Sequence, residues 1–454
     1  MNGKNGTDKI QMFEGEKISK IVFKNSVPAL IAMVMVMVYN LADTFFLGLT
    51  GNDLQVTAVS YATPLFMIFM SLGTLFGVGG TSVISRAIGA GDRERAKKAS
   101  SFCMWSCVVI GVVAMAVLWI FLDDVCLMLG AKESFDLTRE YLLITIGCGV
   151  FSLISNCFSN VLRAEGEPMK AMTGTVMGNL LNIILDPIMI LGLGWGVAGA
   201  AIATVIGNVI AALYYILWFL RGRSSLSISP KYFSMKDGIF SGVMAVGLSA
   251  SLANLFSSVS AILVNTRLSN FDNGDLLVAG FGVTSKITMI VTLIAIGIGS
   301  GVQPFFGYCF GAKKKGRLIS GIKFSSVFAT VFCAVIAVLC FIFAEPIVKI
   351  FLTDERALSA GMHFTRILMS TGWLIGVFIV CQNALQAFGA AAPALLAIVF
   401  RQGIIFVPAM FIMEAVIGVD GLMWAQPVAD LLSLIFIAIM LIGKLRKIDF
   451  PTAE

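Results

Sequence analysis

The sequence predicts an all-α protein that crosses a membrane many times. Of its 454 residues, 58% are hydrophobic and only 13% are charged, whereas roughly a quarter of the residues in a soluble domain are charged. A helix needs about 20 apolar residues to cross a bilayer. Unbroken apolar runs such as 103–122 and 324–344 are typical of such helices and not of the alternating strands of a membrane barrel.

Polar interruptions divide the chain into twelve predicted transmembrane helices. The first 20 residues are polar, and the apolar run that follows is longer than a signal-peptide core and shows no cleavage site, so we expect a retained first helix. The predicted helices are 22–48, 54–82, 95–122, 137–163, 169–191, 195–220, 238–268, 275–302, 318–343, 358–388, 391–413 and 419–444.

Basic and acidic connections alternate along the chain, as the positive-inside rule requires of a multi-pass protein. Lys and Arg are concentrated at 86–98, 221–236, 313–317 and 444–447, whereas acidic residues dominate 123–140. We therefore expect an inner-membrane protein with both termini in the cytoplasm. These short loops account for the net charge of +6, and no nucleic-acid partner is expected.

An internal repeat relates the two halves of the chain. The segment VGGTSVISRAIGAGDRER at the end of the second helix matches SGVQPFFGYCFGAKKKGR at the end of the eighth, and Gly77 corresponds to Gly299. NVLRAEG is echoed by NALQAFG, and GVAG by GVDG. Six helices repeated after an even number of crossings keep their orientation, which predicts parallel repeats. We predict a monomer with an N-terminal lobe at 1–220, a cytoplasmic linker at 221–237 and a C-terminal lobe at 238–454.

Two carboxylates stand out among the ionisable residues inside predicted helices, where a charge costs roughly 2.5–3.5 kcal/mol near the bilayer centre. Asp43 is in the first helix and Asp186 in the fifth, at similar depth in the outer half of one bundle. Pro187 deprives a carbonyl near Ile183 of its hydrogen bond, which predicts a bend there. Burial and a second carboxylate both disfavour ionisation, so the pair is predicted to bind a proton or, alternatively, a sodium ion.

Amide side chains on the same helices are candidates to complete this site. Asn40 and Asn182 each precede a carboxylate by about one turn, and Asn156 and Asn160 are spaced i, i+4 on the fourth helix. The C-terminal half has Val407 opposite Asp186 and no acidic residue from 239 to 271. Coupling is therefore expected in the N-terminal lobe alone. The C-terminal half instead carries Lys286 in its eighth helix and Asp430 in its last, and for both a packing role and a functional role stay open.

Other kinds of chemistry find little support in the sequence. Nine cysteines are scattered singly along apolar segments and the chain has one histidine, so neither a disulfide framework nor a metal site is expected. The glycine-rich loops lack the phosphate-loop pattern. No serine, cysteine or histidine is arranged for nucleophilic catalysis. We expect no enzyme and no cofactor, only a coupling ion.

The sequence resembles the multidrug and toxic compound extrusion (MATE) family, in its bacterial DinF- and MepA-like branch. The segments that carry the resemblance are VPALIAMVMVMVYNLADTFFLG, LRAEG, NIILDP, GVAGAAIAT and PVADLLS. The resemblance implies a V-shaped pair of six-helix lobes. It also implies multidrug efflux by alternating access, in which lipophilic and often cationic compounds are exported in exchange for protons or sodium. An alternative from the wider superfamily is a flippase or exporter of a lipid-linked or other amphiphilic substrate.

The resemblance also suggests which residues act. Archaeal DinF-like relatives use two aspartates with tyrosines, asparagines and a threonine in the N-lobe pocket, and Val36 replaces a pocket glutamine in this chain. The acidic coupling residues of the NorM-like branch are missing from the seventh helix, which favours N-lobe coupling, with protons preferred over sodium. The ion-coupling candidates are Asp43, Asp186, Asn182, Tyr39, Asn156 and Thr204, and the substrate-binding candidates are Tyr141, Asn160, Asn40 and Lys286.

Overall fold

The computed structural model describes residues 13, 15–129, 131, 133–352 and 354–447. Helices make up nearly all of this part of the chain, and it contains no strand. The two chain ends, whose cytoplasmic placement the sequence predicts, lie outside the described residues.

The helices follow one another with short connections. In chain order they are α1 (Ile18–Gly48), α2 (Asp53–Gly89), α3 (Arg93–Ile120), α4 (Leu122–Met128), α5 (Phe135–Gly147), α6 (Gly149–Ala164), α7 (Pro168–Asp186), α8 (Gly196–Leu220), α9 (Ile239–Leu268), α10 (Gly274–Gly311), α11 (Lys315–Ile342), α12 (Ala344–Lys349), α13 (Glu355–Ser370), α14 (Gly372–Ala387), α15 (Ala391–Val399), α16 (Phe406–Ile417) and α17 (Val419–Lys447). A π turn extends α7 over Pro187–Gly192, another joins α15 to α16 over Phe400–Ile404, and a 3-10 turn spans Pro230–Tyr232.

Ten helical spans of the described chain are long and apolar enough to cross a membrane, and two bent helix pairs bring the number to twelve. The bent pairs are α5 with α6, at 54°, and α13 with α14, at 48°. The prediction of twelve spans is confirmed, but 137–163 and 358–388, predicted as single helices, are each broken. Both breaks precede a glycine, Gly149 or Gly372, and these glycines occupy equivalent positions in the repeat.

Large apolar side chains cover much of the protein surface. Ile120, Met128 and Val416 are each at least three-quarters exposed. An extended apolar surface of this kind is unfavourable in water and is the expected lipid-facing surface of a multi-pass membrane protein.

The described chain forms two compact units. The first contains the described residues up to Glu16 together with those of Ile31–Leu248, and the second contains Lys17–Leu30 together with the described residues from Ser249 onward. These bounds differ from the predicted lobes in two segments. The first turns of α1 are grouped with the C-terminal helices, and the linker with the start of α9 is grouped with the N-terminal helices.

Close helix contacts explain both differences. In the first unit, α9 approaches α2 so tightly that a Cβ at Gly79 would lie 2.1 Å from the carbonyl oxygen of Val243. In the second unit, α10 approaches the start of α1 in the same way, and a Cβ at Gly301 would lie 2.7 Å from the carbonyl oxygen of Asn25. Small residues permit such backbone contact between membrane helices.

The segment between α8 and α9 is packed against the first unit. Glu165, at the end of α6, is buried and accepts hydrogen bonds from Ser224 Oγ, from Ser225 Oγ and from the Ser225 backbone N–H. Three side chains of α3 donate hydrogen bonds to backbone carbonyls of the same segment: Ser100 to Ser227, Ser101 to Ser229 and Trp105 to Ile228.

Candidate functional site

The fifth predicted span, α7 with its π turn, is held against α8 by two glycines. A Cβ at Gly178 would lie 2.5 Å from the carbonyl oxygen of Gly207, and one at Gly207 would lie 2.6 Å from that of Gly178. The two backbones therefore touch. One turn beyond this contact, Asn182 of α7 faces Thr204 of α8, and its Nδ2 donates to Oγ1 of Thr204 at 3.3 Å.

Asp186 is fully buried at the end of α7. Its Oδ1 accepts a hydrogen bond from Nδ2 of Asn182 at 3.3 Å. The chain leaves α-helical geometry directly after this carboxylate, in the π turn that begins at Pro187. The bend that the sequence predicted near Ile183 thus takes the form of a π turn one residue beyond Asp186, because the proline has no N–H to continue the α-helical pattern.

Three oxygen atoms at this site are buried without any hydrogen-bond donor from the described residues. They are Oδ2 of Asp186, Oδ1 of Asn182 and Oδ1 of Asp43. A buried acceptor without a donor is unfavourable by about 1–3 kcal/mol, and more when it is charged. The set is therefore suited to a species that acts as a donor or a cation, such as a proton or a metal ion.

Asp43, on α1, lies close enough to Asp186 for the two carboxylates to interact electrostatically. Tyr39, one turn before Asp43, interacts with both. Tyr141, on α5, is buried and interacts with both carboxylates and with Tyr39. Four helices, α1, α5, α7 and α8, thus bring Asp43, Asp186, Asn182, Thr204 and the two tyrosines together in the first unit.

Asn156 and Asn160 lie at a helix contact and do not bond to Asp43 or Asp186. Both lie where α6 packs on α2: Nδ2 of Asn156 donates to the Met70 carbonyl at 3.3 Å, and the Asn160 carbonyl accepts from Oγ1 of Thr81 at 3.1 Å. Nδ2 of Asn160 donates to the Asn156 carbonyl at 2.9 Å. These amides connect two helices, and none of their hydrogen bonds reaches a carboxylate.

Two further candidates also have local surroundings. Asn40 is exposed, and its Nδ2 donates to the Val36 carbonyl of its own helix at 2.8 Å. Lys286 is exposed on α10 of the second unit, with its Nζ 5.6 Å from the centre of the Phe351 ring. Within the residues the structure describes, no carboxylate pairs with Lys286.

Two residues that could belong to a functional site, Asn179 and Arg401, were not singled out from the sequence. The Nδ2 atom of Asn179, on α7, is buried without an acceptor from the described residues. Arg401, in the second unit, pairs with Asp430 at 2.7 Å. The signal for Arg401 is present in the sequence, because a cation in the middle of the predicted helix 391–413 is as informative as Asp43 in the first helix.

The candidate site offers few ligands for a metal ion. Among the described residues there is no group of three or more His, Cys, Asp or Glu side chains that could hold one. A sodium ion would have to rely on the two carboxylates with the neutral oxygens of Asn182, Thr204 and the two tyrosines. A proton needs one carboxylate oxygen and a nearby acceptor.

Comparison with known proteins places the chain among membrane exporters. The profile of the MatE family matches residues 28–188 and 250–412, one segment in each half. The multidrug export protein MepA of Staphylococcus aureus (strain MRSA252) is 30% identical over 441 residues, which cover 97% of this chain and 96% of that protein. MepA of Staphylococcus haemolyticus (strain JCSC1435) is 29% identical over 436 residues, covering 96% and 95%. A crystal structure of MATE in the straight conformation is 25% identical, covers 96% of this chain and 98% of that one, and superposes with a TM-score of 0.90.

Proposed function

The chain belongs to the MatE family, and on that premise we propose that it is a multidrug efflux transporter driven by cation antiport. It is a transporter and not an enzyme. It exports lipophilic, often cationic compounds by alternating access, and the inward movement of protons, in preference to sodium, drives that export. The coupling site is the carboxylate pair Asp43 and Asp186 of the first unit.

The observation that carries this proposal is the set of buried acceptors around Asp186. Its Oδ2, Oδ1 of Asn182 and Oδ1 of Asp43 have no donor among the described residues. A proton on Oδ2 of Asp186 would convert that oxygen into a donor in surroundings that supply unpaired acceptors. One bound proton therefore removes both a buried charge and an unsatisfied acceptor.

Loss of that proton reverses the electrostatics of the site. Two interacting carboxylates are then ionised in surroundings of low polarity, where their charges are weakly screened. Such a site attracts a cationic compound and is unstable without one. Alternate occupancy by a proton and by a cationic compound gives antiport, because each species neutralises the carboxylates that the other needs.

The π turn at Pro187–Gly192 supplies a conformational element next to the coupling carboxylate. π-Helical turns are less regular than α-helix and occur frequently at functional sites. Asp186 is the residue directly before this turn. We expect protonation of Asp186 to be coupled to the geometry of the turn, and so to the position of the outer end of the span.

Protons are preferred over sodium because of the number of ligands. The charged oxygens at hand in the described chain are those of two carboxylates, whereas those of Asn182, Thr204 and the two tyrosines are neutral. One amide hydrogen of Asn182 is already directed at each of Asp186 and Thr204. A hard metal cation favours a fuller shell of oxygens. Protonation requires no further ligand.

The topology is part of the same proposal. The basic connections 86–98, 221–236 and 313–317 would lie on the cytoplasmic side, which places both termini in the cytoplasm and the protein in the cytoplasmic membrane of a bacterium. The chain acts as a monomer, because both six-span repeats lie in one chain.

Efflux from proteoliposomes tests the coupling mechanism. Ethidium efflux is measured with a proton gradient or a sodium gradient imposed separately, for the unmodified protein, Asp186→Asn, Asp43→Asn and the exposed control Asp124→Asn. We expect efflux under the proton gradient alone, a loss of at least about tenfold in the two site variants, and unchanged efflux in the control. Full efflux in both site variants would exclude these carboxylates, and ethidium efflux under neither gradient would favour an amphiphile flippase.

A further inference from the structure

Among the described residues of the second unit, Arg267 and Arg401 each form an ion pair with a carboxylate, and the two pairs differ in how many of their hydrogen-bonding atoms are engaged. In the first pair, Nε of Arg267 donates to both oxygens of Glu414, at 3.1 and 2.9 Å, and Nη2 donates to Oε1 at 2.7 Å. Both carboxylate oxygens are engaged. This is the multidentate geometry that makes such pairs strong structural contacts.

In the second pair only one oxygen and one nitrogen are engaged with each other. Nε of Arg401 donates to Oδ1 of Asp430 at 2.7 Å, and Nε2 of Gln426 donates to the same oxygen at 2.7 Å. Among the described residues nothing accepts a hydrogen bond from the two terminal nitrogens of Arg401, and nothing donates to Oδ2 of Asp430. The pair therefore keeps two donor nitrogens, with four N–H groups between them, and one acceptor oxygen for another molecule.

The guanidinium group is nevertheless held in place. Its carbon lies 5.0 Å from the centre of the buried Phe378 ring, a cation–π contact that fixes one face of the group. The side chains of Arg401 and Asp430 are 13% and 6% exposed. Nε is held by the carboxylate and one face by the ring, which leaves the two terminal nitrogens as the accessible edge.

Both residues lie near the middle of the membrane. Arg401 comes about ten residues, or about 15 Å, after the start of α15, and Asp430 comes a similar distance after the start of α17. The apolar core of a bilayer is about 30 Å thick. An ionisable group at that depth is a functional candidate, and the π turn Phe400–Ile404 that carries Arg401 is a second feature typical of functional sites.

From this geometry we propose that Arg401 and Asp430 form a binding site for the carboxylate group of amphipathic export substrates that also carry a cationic centre. The two terminal nitrogens of Arg401 present the planar, parallel donors that match a carboxylate. Oδ2 of Asp430 accepts from the cationic centre. The statement that the bound compounds are export substrates rests on the proposed function. Binding of a carboxylate at Arg401 can be tested without transport.

A matched pair of dyes tests the site directly. Rhodamine B carries a free carboxylate and a cationic xanthene near neutral pH, and its ethyl ester carries only the cation. Fluorescence polarisation gives the Kd of each dye for the purified full-length protein in detergent. The comparison includes the double variant Arg401→Gln/Asp430→Asn, the single variant Arg401→Lys, and a control double variant of the saturated pair, Arg267→Gln/Glu414→Gln.

We expect the unmodified protein to bind rhodamine B roughly tenfold more tightly than its ester, because a charge-assisted bidentate contact is lost with the ester. This preference should disappear in Arg401→Gln/Asp430→Asn and persist in the control. Arg401→Lys keeps the charge but not the paired donors, so it should lose most of the preference. If the double variant elutes as an aggregate in size-exclusion chromatography, the dye preference of Arg401→Lys alone tests the site.

Two results would overturn the proposal: no preference in the unmodified protein, or an undiminished preference in both Arg401 variants. Efflux of the two dyes from proteoliposomes separates this outcome from failure of the export function. If the binding preference depends on Arg401 but neither dye is transported, the site stands and the export function does not.

Discussion

Asn182 donates a hydrogen bond to Oδ1 of Asp186 one helical turn later, at 3.3 Å. The same amide nitrogen reaches Oγ1 of Thr204 on α8. One hydrogen of the amide therefore bonds to the carboxylate and the other anchors the amide to α8, while Oδ2 of Asp186 is left without a donor in the described chain. A carboxylate held in this way can gain or lose a proton without moving its support.

Substitution of Asn182 by Leu is expected to reduce proton-driven ethidium efflux by at least about tenfold, because Asp186 loses its buried donor. Thr204→Val removes a weaker contact. Hydrogen bonds between membrane helices average about 0.6 kcal/mol, so a two- to threefold reduction is expected. Initial efflux rates from proteoliposomes measure both effects.

Thr63→Val is the control for these substitutions, because Thr63 is exposed and bonds only to the Val59 carbonyl of its own helix. Its efflux should match that of the unmodified protein. A rate for Asn182→Leu equal to that of this control would show that the amide does not support coupling.

Gly178→Ala is expected to destabilise the protein by about 1–3 kcal/mol, because the new methyl group would meet the Gly207 carbonyl oxygen at 2.5 Å and force α7 away from α8. The measurement is the midpoint of thermal unfolding in detergent. Gly443→Ala is the matched control: Gly443 lies inside α17 with no atom within 4 Å of the added methyl group. Its midpoint should stay the same or rise slightly, as alanine favours helix. Equal midpoints for the two variants would contradict the tight contact.

Glu165→Ala is expected to release the segment between α8 and α9. The carboxylate accepts three hydrogen bonds from Ser224 and Ser225, and each bond to a charged group contributes about 1.5–3 kcal/mol. Trypsin should then cleave after Arg221 or Arg223 at least about tenfold faster, since local opening controls such cleavage. Glu94→Ala, which loses only an exposed i, i+4 ion pair with Lys98, should be cleaved at the unmodified rate. Slow cleavage of both variants would mean that other contacts hold the segment.

Cysteine labelling in cells tests the proposed topology. Lys236 and Asp272 are exposed, and the native cysteines are buried or partly buried, so background labelling should be low. A membrane-impermeant maleimide should label Asp272→Cys in intact cells and Lys236→Cys only after permeabilisation. The unmodified protein serves as the blank. The reverse pattern would invert the orientation.

Span number and repeat could be predicted from the sequence because they depend on local properties. A run of about 20 apolar residues forms a helix in a bilayer whatever its neighbours, since its backbone polar groups must bond internally. The match of Gly77 with Gly299 likewise needs no knowledge of packing. Asp43 and Asp186 could be singled out in the same way, because a charge in an apolar helix is unfavourable wherever that helix packs.

The partners of each side chain could not be obtained in this way. The sequence marks both Asn156 and Asn182 as ion-coupling candidates. In the structure, Asn156 bonds to the Met70 carbonyl on α2, whereas Asn182 bonds to Asp186 and Thr204. The pairing of Arg401 with Asp430 joins residues on two different helices. Such contacts depend on which helix faces adjoin and in what register.

The sequence by itself determined the class of the protein, its repeat, its spans and its intramembrane charges, because hydrophobic length and unfavourable charge burial act residue by residue. Only the tertiary structure decided which charges and amides meet. It also decided that the first turns of α1 join the second unit. The physical reason is that small residues at helix crossings, such as Gly178 with Gly207 and Gly301 with Asn25, set how two helices align. That alignment depends on both helices and cannot be read from either segment alone.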